Sequence, residues 1–105
     1  MLYHLDFQVE YPASMSQQDL FTIWIKEARV ALKAKAEGRI VDLWKCVGTR
    51  RVIAIVDVKS LDDLDRILLD LPIVKEMGHH VKVLVTPLRP YENFVSDLEE
   101  RLKSD

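Results

Sequence analysis

The stretch Ile40-Val41-Asp42-Leu43-Trp44-Lys45-Cys46-Val47-Gly48-Thr49-Arg50-Arg51-Val52-Ile53-Ala54-Ile55-Val56-Asp57-Val58 decides the fold. Ile40 to Val47 and Arg51 to Val58 are two short, apolar, β-branched runs, the pattern of strands. Only Gly48-Thr49-Arg50 separates them, so they pair as a hairpin. A helical pattern flanks the hairpin on each side. Upstream, Ser14 or Ser16 can cap a helix over 19–37, with Asp19 favourable in its first turn and Gly38 as its stop. Downstream, Ser60 caps a second helix from Leu61 to Leu71, with Asp62 and Asp63 in its first turn, and Pro72 closes it.

The outer strands complete the order. Met1, Tyr3, Leu5, Phe7, Val9 and Tyr11 point one way, and His4, Asp6, Gln8 and Glu10 the other, so Met1 to Tyr11 is a strand with one apolar face. Pro12 ends it. Residues 73–78 read as a connector, and His79 to Pro87 as a fourth strand. Tyr91 to Lys103 reads as a third, terminal helix with Phe94, Val95, Leu98 and Leu102 on one side. Strand, helix, hairpin, helix, strand is the split βαβ arrangement, an α+β ferredoxin-like fold (βαββαβ) with an added C-terminal helix. Right-handed crossovers place the first two helices on one sheet face. The other face stays open and carries His4, Asp6, Gln8 and Glu10, with Asp42, Trp44 and Cys46 from the second strand. Val41, Leu43 and Val47 are expected under the helices. A face carrying Trp beside ionisable groups calls for a cover, either a ligand or a second copy. Two such sheets packed face to face make a dimeric α+β barrel with a cavity mouthed by helix and loop residues.

The chain's 105 residues fit a single domain over 1–105. A net charge of −2 and a pI of about 5.9 argue against a nucleic-acid footprint, and Arg50-Arg51 is too short a basic cluster to carry one. The exposed-aromatic strand signature of an RNA-binding sheet is also missing. No apolar run approaches the roughly 20 residues of a membrane span. No basic region followed by an apolar stretch marks the N-terminus, so no secretory signal is expected. A lone cysteine, Cys46, cannot form an internal disulfide or a cysteine-based zinc site and suits a cytoplasmic protein. It reads as a small buried hydrophobe in a strand. His79-His80 sit adjacent in a strand, so they point to opposite faces and do not chelate one ion; no metal is expected.

Glu27 breaks the pattern of its helix. At about 100° per residue, Leu20, Ile23, Trp24, Ala31 and Ala34 share one arc, with Phe21, Ala28 and Leu32 beside it. Thr22, Lys26, Arg29 and Lys33 take the opposite side. Glu27 falls inside the apolar arc, between Ala34 and Ala31. A carboxylate withdrawn from water without a partner has a raised pKa, and a pKa near neutrality suits proton transfer. The plainer alternative has Glu27 at the rim of the arc, reaching water or pairing with a Lys or Arg.

The opening Met1-Leu2-Tyr3-His4 and the run from Glu37-Gly38 to Leu43-Trp44-Lys45 resemble the muconolactone isomerase family. So do Gly48, Asp57-Val58, Ser60, Leu71-Pro72 and Met77, and the likeness extends to about residue 90. Glu27 falls where that family has a helix glutamate, eleven residues before the glycine. The resemblance implies a small cofactor-free isomerase of bacterial aromatic breakdown, in the branch from catechol to 3-oxoadipate. Such enzymes convert muconolactone to the 3-oxoadipate enol-lactone. It also implies dimers built into larger rings, commonly decamers, with sites at subunit interfaces. The chain departs from the family at Thr49 and Arg50, where a His-Tyr pair follows the turn glycine, and in the terminal helix, which replaces a short polar tail.

Shifting a lactone double bond requires a base of near-neutral pKa and a donor for the dienolate oxygen, and neither a metal nor a nucleotide. Glu27 is the candidate base, and His4 the candidate donor or relay, with Asp6 on the same strand face. Trp44 would wall the cavity and offer an indole N–H. Lys45 or Arg50 could attract a substrate carboxylate. Each has a structural alternative: His4 bonding a strand neighbour or subunit partner, Asp6 pairing with a base across an interface, Trp44 as interface or core, and Arg50 and Arg51 as solvated turn charges. Two other functions fit the fold. One is another dimeric α+β barrel enzyme, such as a cofactor-free monooxygenase, a cyclase or a dehalogenase-like enzyme. The other is a non-catalytic small-ligand module.

Overall fold

The architecture is that of a computed structural model, which describes residues 1–103. Its elements are β1 (Leu2–Val9), α1 (Gln17–Ala36), β2 (Ile40–Lys45), β3 (Arg51–Asp57), α2 (Leu61–Asp70), α3 (Pro72–Met77), a 3-10 turn (Gly78–His80), β4 (Val81–Leu88) and α4 (Tyr91–Lys103). The four strands form one sheet in the order β2-β3-β1-β4, with every neighbouring pair antiparallel. The crossovers through α1 and α2 each skip a strand, which is the split arrangement the sequence predicts.

Register sorts the two faces. Tyr3 pairs with Val56, Leu5 with Ala54, and Phe7 with Val52, and all six point toward the helices. Tyr3, Leu5, Ala54, Val56 and Val58 bury against Leu64 of α2. A second cluster joins Val9 and Leu20 of α1 to Ile73 and Met77 of α3, with Ile23 and Trp24 packed on it. The helix starts follow from their caps. The Ser16 hydroxyl accepts from the Asp19 N–H at 3.0 Å, and the Ser60 hydroxyl from the Asp63 N–H at 3.1 Å, each satisfying an otherwise free amide. Gly38 ends α1 at φ +83°, a conformation a side chain resists.

Five local expectations are corrected. Residues 73–78 are not a bare connector: Pro72 closes α2 but also opens α3 from its first turn, where its missing N–H costs nothing. Val41 does not lie under the helices. A β-bulge between Ile40 and Asp42 turns it out, leaving it 53% exposed, while Ile40 and Leu43 pack on the core. Val47 is 97% exposed because β2 stops at Lys45. A turn bond from the Thr49 N–H to the Cys46 carbonyl, 3.2 Å, places half-buried Cys46 in the hairpin turn rather than in a strand. Finally, His79 and His80 lie in the 3-10 turn with ring centroids 4.3 Å apart, not on opposite faces of a strand.

α4 has the predicted bounds, yet every one of its residues is exposed. An Arg89–Asp97 ion pair of 2.7 Å ties its first turns to the end of β4. The molecule is correspondingly elongated, 63 × 26 × 22 Å. Among the described residues no helix is long and apolar enough to cross a membrane.

Candidate active site

α1 docks through Leu20, Ile23 and Trp24 onto Val9, Ile73 and Met77. That contact fixes the helix rotation, so the positions a turn further on must face the sheet. They are Glu27, Ala28, Ala31 and Ala34, three of them too small to fill the space. A cleft of about 1350 Å³ opens there between α1 and α2. Phe7, Leu43, Val52 and Ala54 form its floor, and Leu64, Ile67 and Leu68 of α2 its far wall.

Glu27 is the one acidic side chain that α1 sends into this cleft. Its Oε2 is shut off from solvent and has no hydrogen-bond partner. Burial against apolar neighbours pushes its pKa up to about 7. Glu27 as a whole is half-buried, so it keeps partial access to water as the plainer alternative has it, while its Oε2 is withdrawn as the helical arc predicts. No Lys or Arg among the described residues pairs with it, and Lys26 pairs with Glu76 at 3.2 Å, on the outside of the helix.

The sheet separates the other expected site residues into two groups. Lys45, Arg50 and Trp44 border the cleft with Glu27. The Lys45 ammonium donates to the Cys46 carbonyl at 3.0 Å and also to the Thr49 carbonyl, which holds it at the hairpin end. Arg50 donates from Nε to the Val9 carbonyl at 3.0 Å, and its guanidinium lies 5.3 Å from the centre of the Tyr11 ring. Trp44 pairs with Ile53, on the open-face register, and reaches the cleft from the edge strand. His4 and Asp6 stand on the far side of the sheet. His4 lies between Ile55 and Thr86. Asp6 is buried and takes bonds from Arg51 at 2.5 and 3.3 Å. The Arg51 guanidinium holds the Asp6 carboxyl below its ordinary range, and His4 adds to the effect. Arg51 is thus the partner of Asp6 within the chain rather than a solvated turn charge. Sequence reasoning also left out Trp24 as a wall of the site, although its place one turn before Glu27 was visible on the same arc. Among the described residues no group of three or more His, Cys, Asp or Glu side chains could hold a metal ion.

Fold and cleft together define a small ferredoxin-like protein with a single unpaired carboxylate in an apolar pocket, an arrangement suited to proton transfer. The pattern of the muconolactone delta-isomerase family matches residues 1–93, and the chain belongs to that family. Muconolactone Delta-isomerase 1 of Acinetobacter lwoffii is 29% identical over 99 residues, covering 94% of this chain and 99% of the relative. Muconolactone Delta-isomerase of Rhodococcus opacus is 28% identical over 83 residues, covering 79% of this chain and 89% of its own. A crystal structure of muconolactone isomerase at 3.3 Å resolution shares the fold, with a TM-score of 0.72 at 24% identity over 86% of this chain and 90% of that one. The family match stops at Asn93, so α4 lies mostly beyond it.

Proposed function

We propose that the chain is an isomerase of aromatic catabolism that shifts a carbon–carbon double bond within an unsaturated lactone, muconolactone or a substituted relative, with Glu27 as the base. The half-buried Glu27 carboxyl, with its Oε2 shut off from solvent and unpartnered on the α1 side of an apolar cleft, carries this reading. Its carboxylate takes a proton from the carbon next to the conjugated system. The electron pair moves through the conjugated carbonyl to give a dienolate, and the lactone oxygen takes the charge. The same carboxyl, now protonated, returns the proton at the remote carbon, so no redox change or co-reactant is needed. Lys45 and Arg50 attract the substrate's carboxylate to the hairpin end of the cleft. Trp24 and Trp44 exclude water from its wall. His4 and Asp6 lie behind the sheet, so within one copy the proton relay falls to Glu27 alone. The reading includes a cytoplasmic enzyme working without a cofactor. It also includes a homodimer, built up to a larger ring, in which the exposed open-face residues Leu84 and Leu88 find cover.

Proton NMR of the protein with muconolactone in deuterated water tests the reading. Conversion to the enol-lactone with deuterium at the new position is the expected result. Absence of both conversion and exchange at the acidic carbon would discard this substrate. Glu27→Gln should then lower turnover by about 10²–10⁴-fold, the usual share of a general base. Retained activity in that variant would remove Glu27 from the mechanism.

A further inference from the structure

The turn between β2 and β3 carries Arg50 to one mouth of the cleft, beside Tyr11 just past the end of β1 and Phe21 and Trp24 of α1. Arg50 is exposed, yet two contacts fix its guanidinium. The Nε–H donates to the Val9 carbonyl at 3.0 Å, and Cζ lies over the Tyr11 ring at 5.3 Å from its centre, inside the roughly 6 Å reach of a cation–π contact. The first contact uses one edge of the guanidinium, and the second covers a face. What remains is the outer edge, two terminal nitrogens whose N–H groups have no acceptor among the described residues. The neighbouring carboxylates do not take it. Asp6 belongs to Arg51. Glu10 shares a small polar pocket with Arg50 and Arg51 and forms no ion pair with either. Lys45 differs from Arg50, because its ammonium is turned to the carbonyls of Cys46 and Thr49.

Two parallel N–H groups in one plane match the two oxygens of a carboxylate. The remainder of this mouth is mostly apolar, so the one fork suits a single negative charge on an apolar body better than a phosphate, which would need more donors. We propose that Tyr11 and the Val9 carbonyl hold Arg50 as a preset end-on fork for one carboxylate, and that this fork selects lactones with a carboxylate side chain over neutral ones. Arg50 is then the specificity-determining residue, and Tyr11 is a positioning residue that acts through it. A long side chain already held in place loses less freedom when its ligand arrives. Glu27 lies on the next turn of α1 after Trp24, so a carboxylate held at the hairpin end leaves the lactone ring to extend along α1 toward it. Pairing with Arg50 also keeps the substrate's charge from opposing ionisation of Glu27.

The inference rests on the cleft being the site of the proposed isomerase, but its main test needs no turnover, so the two fail separately. The probes are the saturated analogue of muconolactone, a γ-lactone with a carboxymethyl side chain, and its methyl ester. Neither has a double bond to shift. Calorimetric titration of the full-length protein should show the acid binding about 10–100-fold more tightly than the ester. Arg50→Lys keeps the charge and loses the fork, so most of that preference should disappear while circular dichroism is unchanged. Tyr11→Leu should weaken the acid by about 2–5-fold, and Tyr11→Phe, which keeps the ring, should bind it as the wild type does. In turnover of muconolactone, Tyr11→Leu should raise KM and leave kcat in place. An acid preference that depends on Arg50 and Tyr11 without turnover supports the fork and discards the reaction. Equal affinity for acid and ester in the wild type, or no binding of the acid, overturns the proposal. So does a full acid preference in Arg50→Lys, or a Tyr11→Phe variant as weak as Tyr11→Leu.

Discussion

Glu27 and Asp6 are both carboxylates withdrawn from water, and their surroundings move them in opposite directions. Asp6 accepts from a guanidinium, so its folded pKa is depressed. Its contribution to stability is present above the unfolded carboxylate pKa and is lost as pH falls through the folded value. Asp6→Asn should therefore lower Tm at neutral pH and flatten the loss of Tm below about pH 4, which thermal melts across an acid series would show. Glu27 has no partner, and its folded pKa is raised from 4.5 to about 7. Between those values the unfolded chain ionises while the native one keeps its proton, so stability falls as pH rises and levels off above 7. Glu27→Gln removes that slope. Allowing for solvent screening of a half-buried group, the variant should be more stable by about 1–2 kcal/mol above pH 7 in urea titrations. As the proposed base, Glu27 would work only when ionised. The wild-type kcat/KM should climb with pH and reach a plateau above about 7. Such a gain in stability would show that the carboxylate does not serve the fold, and would support the role proposed for it.

Among the elements, α1 does the most to position the site. Its docked end, Leu20 to Trp24, sets its rotation, and its alanines leave the cleft empty. Ala31→Trp should fill the cleft beside Glu27 and lower kcat/KM at least about tenfold by excluding substrate. Helix content should stay the same, since a tryptophan there replaces empty space rather than packed atoms; unchanged kinetics would place the substrate elsewhere. α1 was legible because caps, a stop glycine and one out-of-place glutamate are all local signals. β1 and β3 were legible for a similar reason: alternation and a short turn fix pairing without knowledge of the rest. The bulge that expels Val41 was not legible, since it depends on how β2 meets β3 rather than on β2 alone. In the sequence Pro72 signals only a stop, because the same ring that ends one helix also suits the first turn of the next. The site's side of the sheet was hidden for a related reason. Ile53, Ile55, Leu84 and Leu88 make the open face apolar too, so the pattern does not say which face holds the empty space, and it does not separate His4 and Asp6 from Glu27 although the sheet divides them.

For the whole molecule, the open sheet face, the α1–α2 cleft and α4 all leave large apolar side chains in water. Leu84, Leu102 and Leu32 are each at least 59% exposed. A domain of 105 residues has little stability in reserve, and patches of this extent are rarely left bare on a stable monomer. Assembly and folding should therefore be coupled. Association adds stability by mass action, so the unfolding midpoint must depend on protein concentration. At about 0.7 kcal/mol of unfolding enthalpy per residue, each tenfold increase in concentration should raise Tm by a few degrees for an oligomer that unfolds to separate chains. Calorimetric scans spanning two decades of concentration would measure this. A midpoint that stays fixed, with one chain's mass in sedimentation, would mean that a lone copy is stable with its cleft open. Catalysis would then need no partner. A rising midpoint would mean that the contacts between copies also hold the fold together, and that dilution should abolish activity and structure over the same range.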